Sequence, residues 1–482
     1  MRKSSVAVAA ALLTLSVVSY VVAQQPANRL LPGNTPFIRV NAPIVALQHA
    51  RVIDGTGAAP REDQTIVISN GRIVAVGAAS SVAVPAGAQA MDLTGQTVMP
   101  GMVGMHEHLF YPSGNGVAIY SEHAYSFPRL YLASGVTTAR TAGSMEPYTD
   151  LNVKRLIDEG KMPGPKMFIT GPYLEGPGTP FLQLHPLADA ADATRTVDYW
   201  AAEGATSFKA YMHISRAELK AAVDAAHARG IKFTGHLCSV GFREAAETGI
   251  DNLEHGLVVD TEFDPGKKPD ECPSQGLTQQ TIVKLDVNGP GVQQTISELV
   301  RRKVAITSTL AVFDASAPHR PPLDQRFLDA LAPHAATTYL ASRARATDAE
   351  NSLSLEALKR EMQFEYAFAK AGGHLMAGVD PTGNGGALAG LGDLRNLELL
   401  VEAGFTPVEA IRIATLNGAQ FLGEDAKIGT IATGKQADLV VVQGNPNARI
   451  SDVRNVRIVF KDGAGYDPEK LLQSIKGEVG LH

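Results

Sequence analysis

Six residues capable of metal or proton chemistry stand in order along the chain, each at or near the end of a short apolar run. They are His106 and His108 in TVMPGMVGMHEH, Lys209 in TSFKAYM, His236 in IKFTGHL, His255 in DNLEH and Asp380 in HLMAGVD. Imidazoles, an amine and a carboxylate together form a donor set suited to two divalent cations. His106 and His108 are two apart, so on a strand their side chains share a face and can reach one ion. Such a pair is weak evidence alone; its place at the end of an apolar strand gives it weight. Lys209 is the sharper signal, because an ammonium near the end of an apolar strand is costly to bury. By itself it reads as the ion-pair partner of a carboxylate such as Asp380. Beside four histidines it reads as a lysine that sheds its proton, takes up carbon dioxide and bridges two cations as a carbamate. His236 and His255 end successive strands, although either alone is more often a core histidine held by hydrogen bonds.

Positioning these residues requires a scaffold that gathers strand ends. From Gly101 to about Leu422 eight strand-like runs occur: GMVGMHEH, GVTTARTAG, PKMFITGPY, TSFKAYM, IKFTGHL, DNLEHG, VAITSTL and HLMAGVD. Helix-like stretches such as RAELKAAVDAAHARG and GFREAAETG lie between several of them, closed by Gly as a helix stop would be. Alternating strand and helix implies a parallel sheet, and eight units close a (β/α)8 TIM barrel, an α/β fold whose chemistry sits at the C-terminal rim of the strands. Closure brings the eighth strand, with Asp380, beside the first, with His106 and His108. Short β-like runs fill the stretch before the barrel, with Asn70-Gly71 as a two-residue hairpin signal. β character returns after TPVEAIRIATLNGAQFLG, which reads as an amphipathic helix. The expected organisation is a β-sandwich domain from both chain ends (38–98 and 424–467) and a catalytic barrel (99–423).

Composition bounds the function. The 482 residues are 45% hydrophobic and 19% charged, an ordinary globular balance, and length allows one barrel of roughly 250 to 400 residues with a smaller domain. A net charge of −6 without a basic patch argues against nucleic acid. Met1-Arg2-Lys3, an apolar stretch and the exit Val21-Val22-Ala23 read as a signal peptide over 1–23, followed by a linker over 24–37. Retention of that stretch as an anchor helix is the alternative. The expectation is a periplasmic or secreted protein, free of the membrane once the leader is removed. There are two cysteines, Cys238 and Cys272, and in an oxidising compartment they can form one disulfide.

With those residues in view, the chain resembles the amidohydrolase superfamily, in the branch of imidazolonepropionase-like proteins and prolidase-like (Xaa-Pro) dipeptidases. GMVGMHEH, GVTTAR, FKAYM, TGHL, NLEHG and AGVD carry the likeness, and LELLVEAGFTPVEAIRIATLNGAQFLG with IGTIATGKQADLVVVQGNP is its most specific stretch. The resemblance implies that His106, His108 and Asp380 hold a more buried cation and His236 and His255 a more exposed one, with carboxylated Lys209 bridging. Zinc is the default metal. Two departures stand out: Thr141 occupies a position where peptidase-like members often have Asp, and imidazolonepropionase itself is not expected to use a bridging lysine.

The resulting expectation is hydrolysis of a C–N bond in a small amide, either a dipeptide or an N-acyl amino acid, by a hydroxide held between the cations. Asp380 would serve as base and then acid. Cyclic amides, lactones or other esters are the alternative substrates on the same site. Deamination ranks lower, since deaminases of the superfamily typically carry a glutamate shortly after the histidine matching His236, where this chain has Leu237, Cys238 and Ser239. A non-catalytic binding protein would have no reason to keep the whole ligand set in register. Arg140, His185, Tyr211 and His213 are the candidate substrate contacts, Arg140 through a bidentate grip on a carboxylate. The two long loops FYPSGNGVAIYSEHAYSF and VVDTEFDPGKKPDECPSQG are candidate lids. His227 and His374 are assigned to structure, and homo-oligomerisation is left open.

Overall fold

The computed structural model describes residues 32–113, 119–321, 324–347, 353–382 and 386–480. The expected leader and the linker as far as residue 31 lie outside these, as does the tip of the first candidate lid. Eight parallel strands carry the site: β1 (Met102–Glu107), β2 (Val136–Thr141), β3 (Lys166–Phe168), β4 (Ser207–Ala210), β5 (Lys232–Gly235), β6 (Asn252–Glu254), β7 (Ala305–Ser308) and β8 (Leu375–Ala377). Each corresponds to one of the runs read from sequence. Every residue of β1 and β2 is buried, as in a parallel sheet covered on both faces.

These strands are bonded in two runs, β1–β2–β3 and β4 through β8. The facing edges of the runs are linked by single backbone bonds. Thr206 N–H donates to Ile169 O at 2.8 Å and Leu174 N–H to Lys209 O at 2.9 Å on one side; Asp380 N–H donates to His106 O at 2.9 Å on the other. The arrangement is of the TIM-barrel type, with an added β domain. At the second seam the backbones nearly touch: a Cβ on Gly378 would stand 2.3 Å from the His106 nitrogen, so only glycine fits.

Helices return the chain between strands, and their ends are coded locally. The helix Arg216–His227 starts in a capping box between Ser215 and Glu218, and Phe242–Thr248 stops at Gly249 with φ of 92°. The stretch read as one amphipathic helix is corrected. It comprises Pro407–Arg412 and Gly418–Leu422 separated by a π turn over Ile413–Asn417. The wide turn lets the Asn417 side-chain amide donate to Leu375 O at 2.8 Å, while the Asn417 carbonyl meets His374 Nε2 at 2.9 Å. Gly418 lies against Val103 and Met105, where a Cβ would come within 3.0 Å.

Outside the barrel, nine strands form one hydrogen-bonded sheet rather than two separately bonded layers. Gln96–Pro100 pairs antiparallel with Leu439–Gln443, splicing the two ends of the chain together, and Ile38–Val40 at one edge pairs with Ala464–Tyr466. Gly71, in the hairpin turn at one edge, lies against Gly463, in the turn near the other edge, and Arg72 bridges Gln436, so the sheet rolls onto itself. Asn70 and Gly71 have φ of 48° and 75°, the two positive angles of a type I′ hairpin.

One buried acid predicts a pH effect on stability. Glu365 lies inside the helix Leu353–Lys370, where burial pushes its carboxyl up to about 8. An unfolded-chain glutamate titrates near ~4.3, so across the interval between the two values the folded state keeps a proton that the unfolded state has lost. Stability therefore falls as pH rises through that window, by about 1.4 kcal/mol per unit of separation at most. Glu365→Gln is expected to flatten the decline in unfolding free energy between pH 5.5 and 8, measured by denaturant titration. Parallel curves for parent and variant would refute the assignment.

Candidate metal and active site

The strand ends deliver the six candidate residues to one pocket. His106, the penultimate residue of β1, is fully buried, and its Nδ1 lies 2.8 Å from Glu254 Oε2. Below, Arg140 Nη2 and Asn252 Nδ2 each donate to Glu254 Oε1 at 2.7 Å, and Thr234 donates to the same atom. Burial alone would raise the Glu254 carboxyl, but Arg140 and His106 hold it well below the usual range. A carboxylate only accepts, so His106 carries its proton on Nδ1 and presents a bare Nε2. That Nε2 stands 3.1 Å from Lys209 Nζ and 3.7 Å from Asp380 Oδ1.

The same logic repeats around the rim. His108 Nδ1 donates to the Gly143 carbonyl at 3.1 Å, leaving Nε2 at 3.3 Å from Asp380 Oδ1. His255 Nδ1 is taken by Thr309 Oγ1 at 2.7 Å, and its Nε2 lies 3.8 Å from Asp380 Oδ2. The His236 ring is centred 4.4 Å from that of His255 and 5.0 Å from that of Tyr211. His255 and Asp380 both sit just past strand ends with left-handed φ of 70° and 51°. Such conformations are costly for residues with a Cβ, and here they turn two donors inwards.

Electrostatics match a ligand cluster. Burial lowers the imidazolium pKa of all four histidines, to about 4 for His106, so all four are neutral donors. Lys209 is brought down to about 8, by burial first. For Asp380, burial opposes charge, but the contact with His108 and the surrounding ring nitrogens favour the carboxylate and hold it well below the usual range. Donor atoms of His106, His255 and Asp380 all lie within 4.8 Å of one another. His255 Nε2 and Asp380 Oδ1 are buried without any hydrogen-bond partner. Buried polar atoms are almost always satisfied, so two such atoms facing one space fit a cation. His106, His255 and Asp380 bring donor atoms close enough to share one ion, with His108, Lys209 and His236 beside them.

The expected substrate contacts divide. Tyr211 stands in an aromatic wall with Tyr173, their rings 4.8 Å apart, against His236. Tyr173 also brings its hydroxyl to 3.4 Å from His108 Nε2. His213 is half-buried and bonded through Nδ1 to Glu175 at 2.7 Å, away from the ligand cluster. Arg140 is 1% exposed and directs Nη2 to Glu254 and the Met105 carbonyl, while its Nε and Nη1 are buried with no hydrogen-bond partner among the described residues. His185 is 69% exposed and bonded to Asp192 at 3.0 Å, and it lines a cavity that Tyr173 also lines. Cys238 and Cys272 are joined by a disulfide, with Cα atoms 4.9 Å apart. His227 bonds Asp251 and His374 bonds Asn417, both structural. Glu254, Tyr173 and Thr309 were not singled out from sequence. Glu254 was signalled by a lone acid inside the otherwise uncharged strand of DNLEH; Thr309 had no distinguishing mark.

Comparison with known proteins places this geometry. The model of the amidohydrolase family matches residues 324–464. Adenine deaminase 4 of Rhizobium meliloti (strain 1021) is 38% identical over 74 residues, and adenine deaminase 2 of Desulfotalea psychrophila (strain LSv54 / DSM 12343) is 34% identical over 91. The chain spans only 12% and 16% of the length of these curated relatives. Among solved structures, a chain described as a prolidase from Bifidobacterium longum is 25% identical with a TM-score of 0.65, covering 90% of this chain and 99% of that one. A Xaa-Pro dipeptidase with methionine bound in its active site has a TM-score of 0.66 at 20% identity, over 88% of this chain and 100% of its own. Bottromycin amidohydrolase also has a TM-score of 0.66, at 18% identity, over 94% and 96%. At such identities the last two likenesses carry the fold alone. Over residues 324–464 the chain is similar to the amidohydrolase family, and over most of its length its architecture is similar to the prolidase from Bifidobacterium longum.

Proposed function

We propose that the protein is an exported metal-dependent hydrolase that cleaves the C–N bond of a small amide, of the dipeptide or N-acyl amino acid type. The observation that carries this reading is the buried cluster in which His106, His108 and His255 turn Nε2 towards the Asp380 carboxylate, with Lys209 Nζ 3.1 Å from His106. Two divalent cations, with zinc as the first expectation, would supply Lewis acidity and a water of lowered pKa. Lys209, its proton loosened by burial, is the residue to accept carbon dioxide and serve both ions as a carbamate.

Within that site Asp380 is the proton carrier. Its carboxylate faces the ligand nitrogens, and whichever oxygen a cation leaves free would take a proton from the attacking water and return it to the departing nitrogen. Tyr173 and Tyr211 form the wall beside the cluster and exclude bulk solvent. Glu254 fixes the tautomer and aim of His106 from beneath, the outer partner that ligating histidines generally have. The short likeness to adenine deaminases does not move the reading, because Leu237, Cys238 and Ser239 follow His236 where a proton-relaying acid would be needed. Export to the periplasm or beyond is supported by the leader at 1–23 and by the Cys238–Cys272 bond.

Two experiments test the site. Purified protein is expected to carry close to two equivalents of divalent metal and to hydrolyse N-acyl amino acids or Xaa-Pro dipeptides, with both lost on chelation. Lys209→Ala should lower metal content and reduce kcat/KM by on the order of 100-fold or more; full metal occupancy with parental activity in that variant ends the proposal. Glu254→Gln keeps shape but weakens the grip on His106, and metal affinity measured by competition with a chromophoric chelator should fall about 10- to 100-fold. An unchanged affinity would mean that the buried carboxylate does not support the ligand.

A further inference from the structure

A cavity of about 470 Å³ opens directly beside the ligand cluster, with His236 at one end. The larger side chains of its wall are apolar (Met212, Leu237, Val258, Ile282, Phe313 and Leu358), with uncharged polar groups between them. Phe313 faces both ways, lining the cavity while its ring stands edge-on to His255 at 5.8 Å. Among the described residues no Asp, Glu, Lys or Arg lines this space. The polar groups that do line it are partly spent: Thr278 donates to Asp264 at 2.6 Å, Thr261 to the Cys238 carbonyl, and Gln279 to Ser354 at 3.2 Å. Cys238 forms part of the wall, and its bond to Cys272 pins the loop leading into the helix Gln275–Ile282, which supplies the opposite side.

We propose that this cavity is the specificity pocket of the enzyme and receives an uncharged, largely apolar substituent, of the bulk of a phenyl ring or a medium-length acyl chain. This rests on the hydrolase reading above and narrows it: the substrates are amides carrying such a group next to the scissile bond, not dipeptides with charged side chains at that position. The physical reason is desolvation. A carboxylate or ammonium entering the cavity would leave its water shell and meet no counter-charge, whereas an aromatic or aliphatic group loses nothing and gains contact with Met212, Leu237, Phe313 and Leu358. The volume lies within the range of small-ligand sites, roughly 300 to 1,000 Å³.

The test uses the metal-loaded full chain and two matched amide series, one varying the acyl half and one the amine half. In each, the variable group ends in phenyl, carboxylate or ammonium. In one of the two series the phenyl member should exceed both charged members in kcat/KM by on the order of 100-fold. Gln279→Arg, on the half-buried wall, and Ser316→Arg, on the exposed rim, should each lower the phenyl rate and raise that of the carboxylate member. Equal rates for neutral and charged members in both series, or arginine variants with the parental preference, overturn the pocket assignment. Binding of N-benzylacetamide by titration calorimetry separates the two proposals. A parent that binds it, loses it in Gln279→Arg and yet hydrolyses no amide refutes the hydrolase reading alone. A parent that hydrolyses amides but leaves N-benzylacetamide binding unaffected by both arginine substitutions refutes the pocket alone.

Discussion

A carboxylate sealed inside a protein must be matched by positive charge or by hydrogen bonds, and Glu254 is matched by both. Arg140, Asn252 and Thr234 satisfy one of its oxygens from the barrel interior, and His106 takes the other. Breaking such an arrangement by removing one partner is far costlier than the pair is worth in isolation. Its value here is orientational. With Nδ1 fixed on Glu254, His106 has a single way to stand, and Lys209 and Asp380 are arranged around the nitrogen that remains. The chemistry at the rim thus depends on a salt bridge one layer below it.

Much of this was legible in the residues themselves. The eight strands announced themselves as apolar runs, and the ligand candidates sat at their ends, where a parallel barrel presents side chains to solvent. Asn70-Gly71 specified its hairpin because few other pairs tolerate two positive φ angles in succession. Local capping marked helix ends at Ser215 and Gly249. Arg140 shows where such reading stops. Its strand position implies that it points inwards, but alternation along a strand says nothing of depth within the barrel, and Arg140 lies beneath the ligands rather than above them. His185 shows a different limit: a loop residue has no periodicity to place it, and this one is held near the surface by Asp192.

The amphipathic segment near the C-terminal side of the barrel illustrates a third kind of limit. Its apolar spacing fits a continuous helix, and most of it is one, yet the tertiary demand for Asn417 to reach Leu375 and for Gly418 to lie on β1 inserts a π turn. Hydrophobic pattern records which face is buried. It does not record the close approach that makes one extra residue per turn worthwhile. The cavity beside His236 was hidden in the same way, since its lining comes from residues separated by more than a hundred positions and becomes a surface only after folding.

The rolled β sheet has a consequence for how the molecule is assembled. Among the described residues its outermost N-terminal strand, Ile38–Val40, pairs with Ala464–Tyr466, and one edge of Gln96–Pro100 pairs with Leu439–Gln443. Until those late segments emerge, whether from a ribosome or through a translocation channel, the early strands expose unpaired edges that invite association with other chains. Pairings between such distant segments also slow folding, because a long loop must close before any contact rewards it. The sheet is therefore a clasp that can close only once both of its distant halves are present.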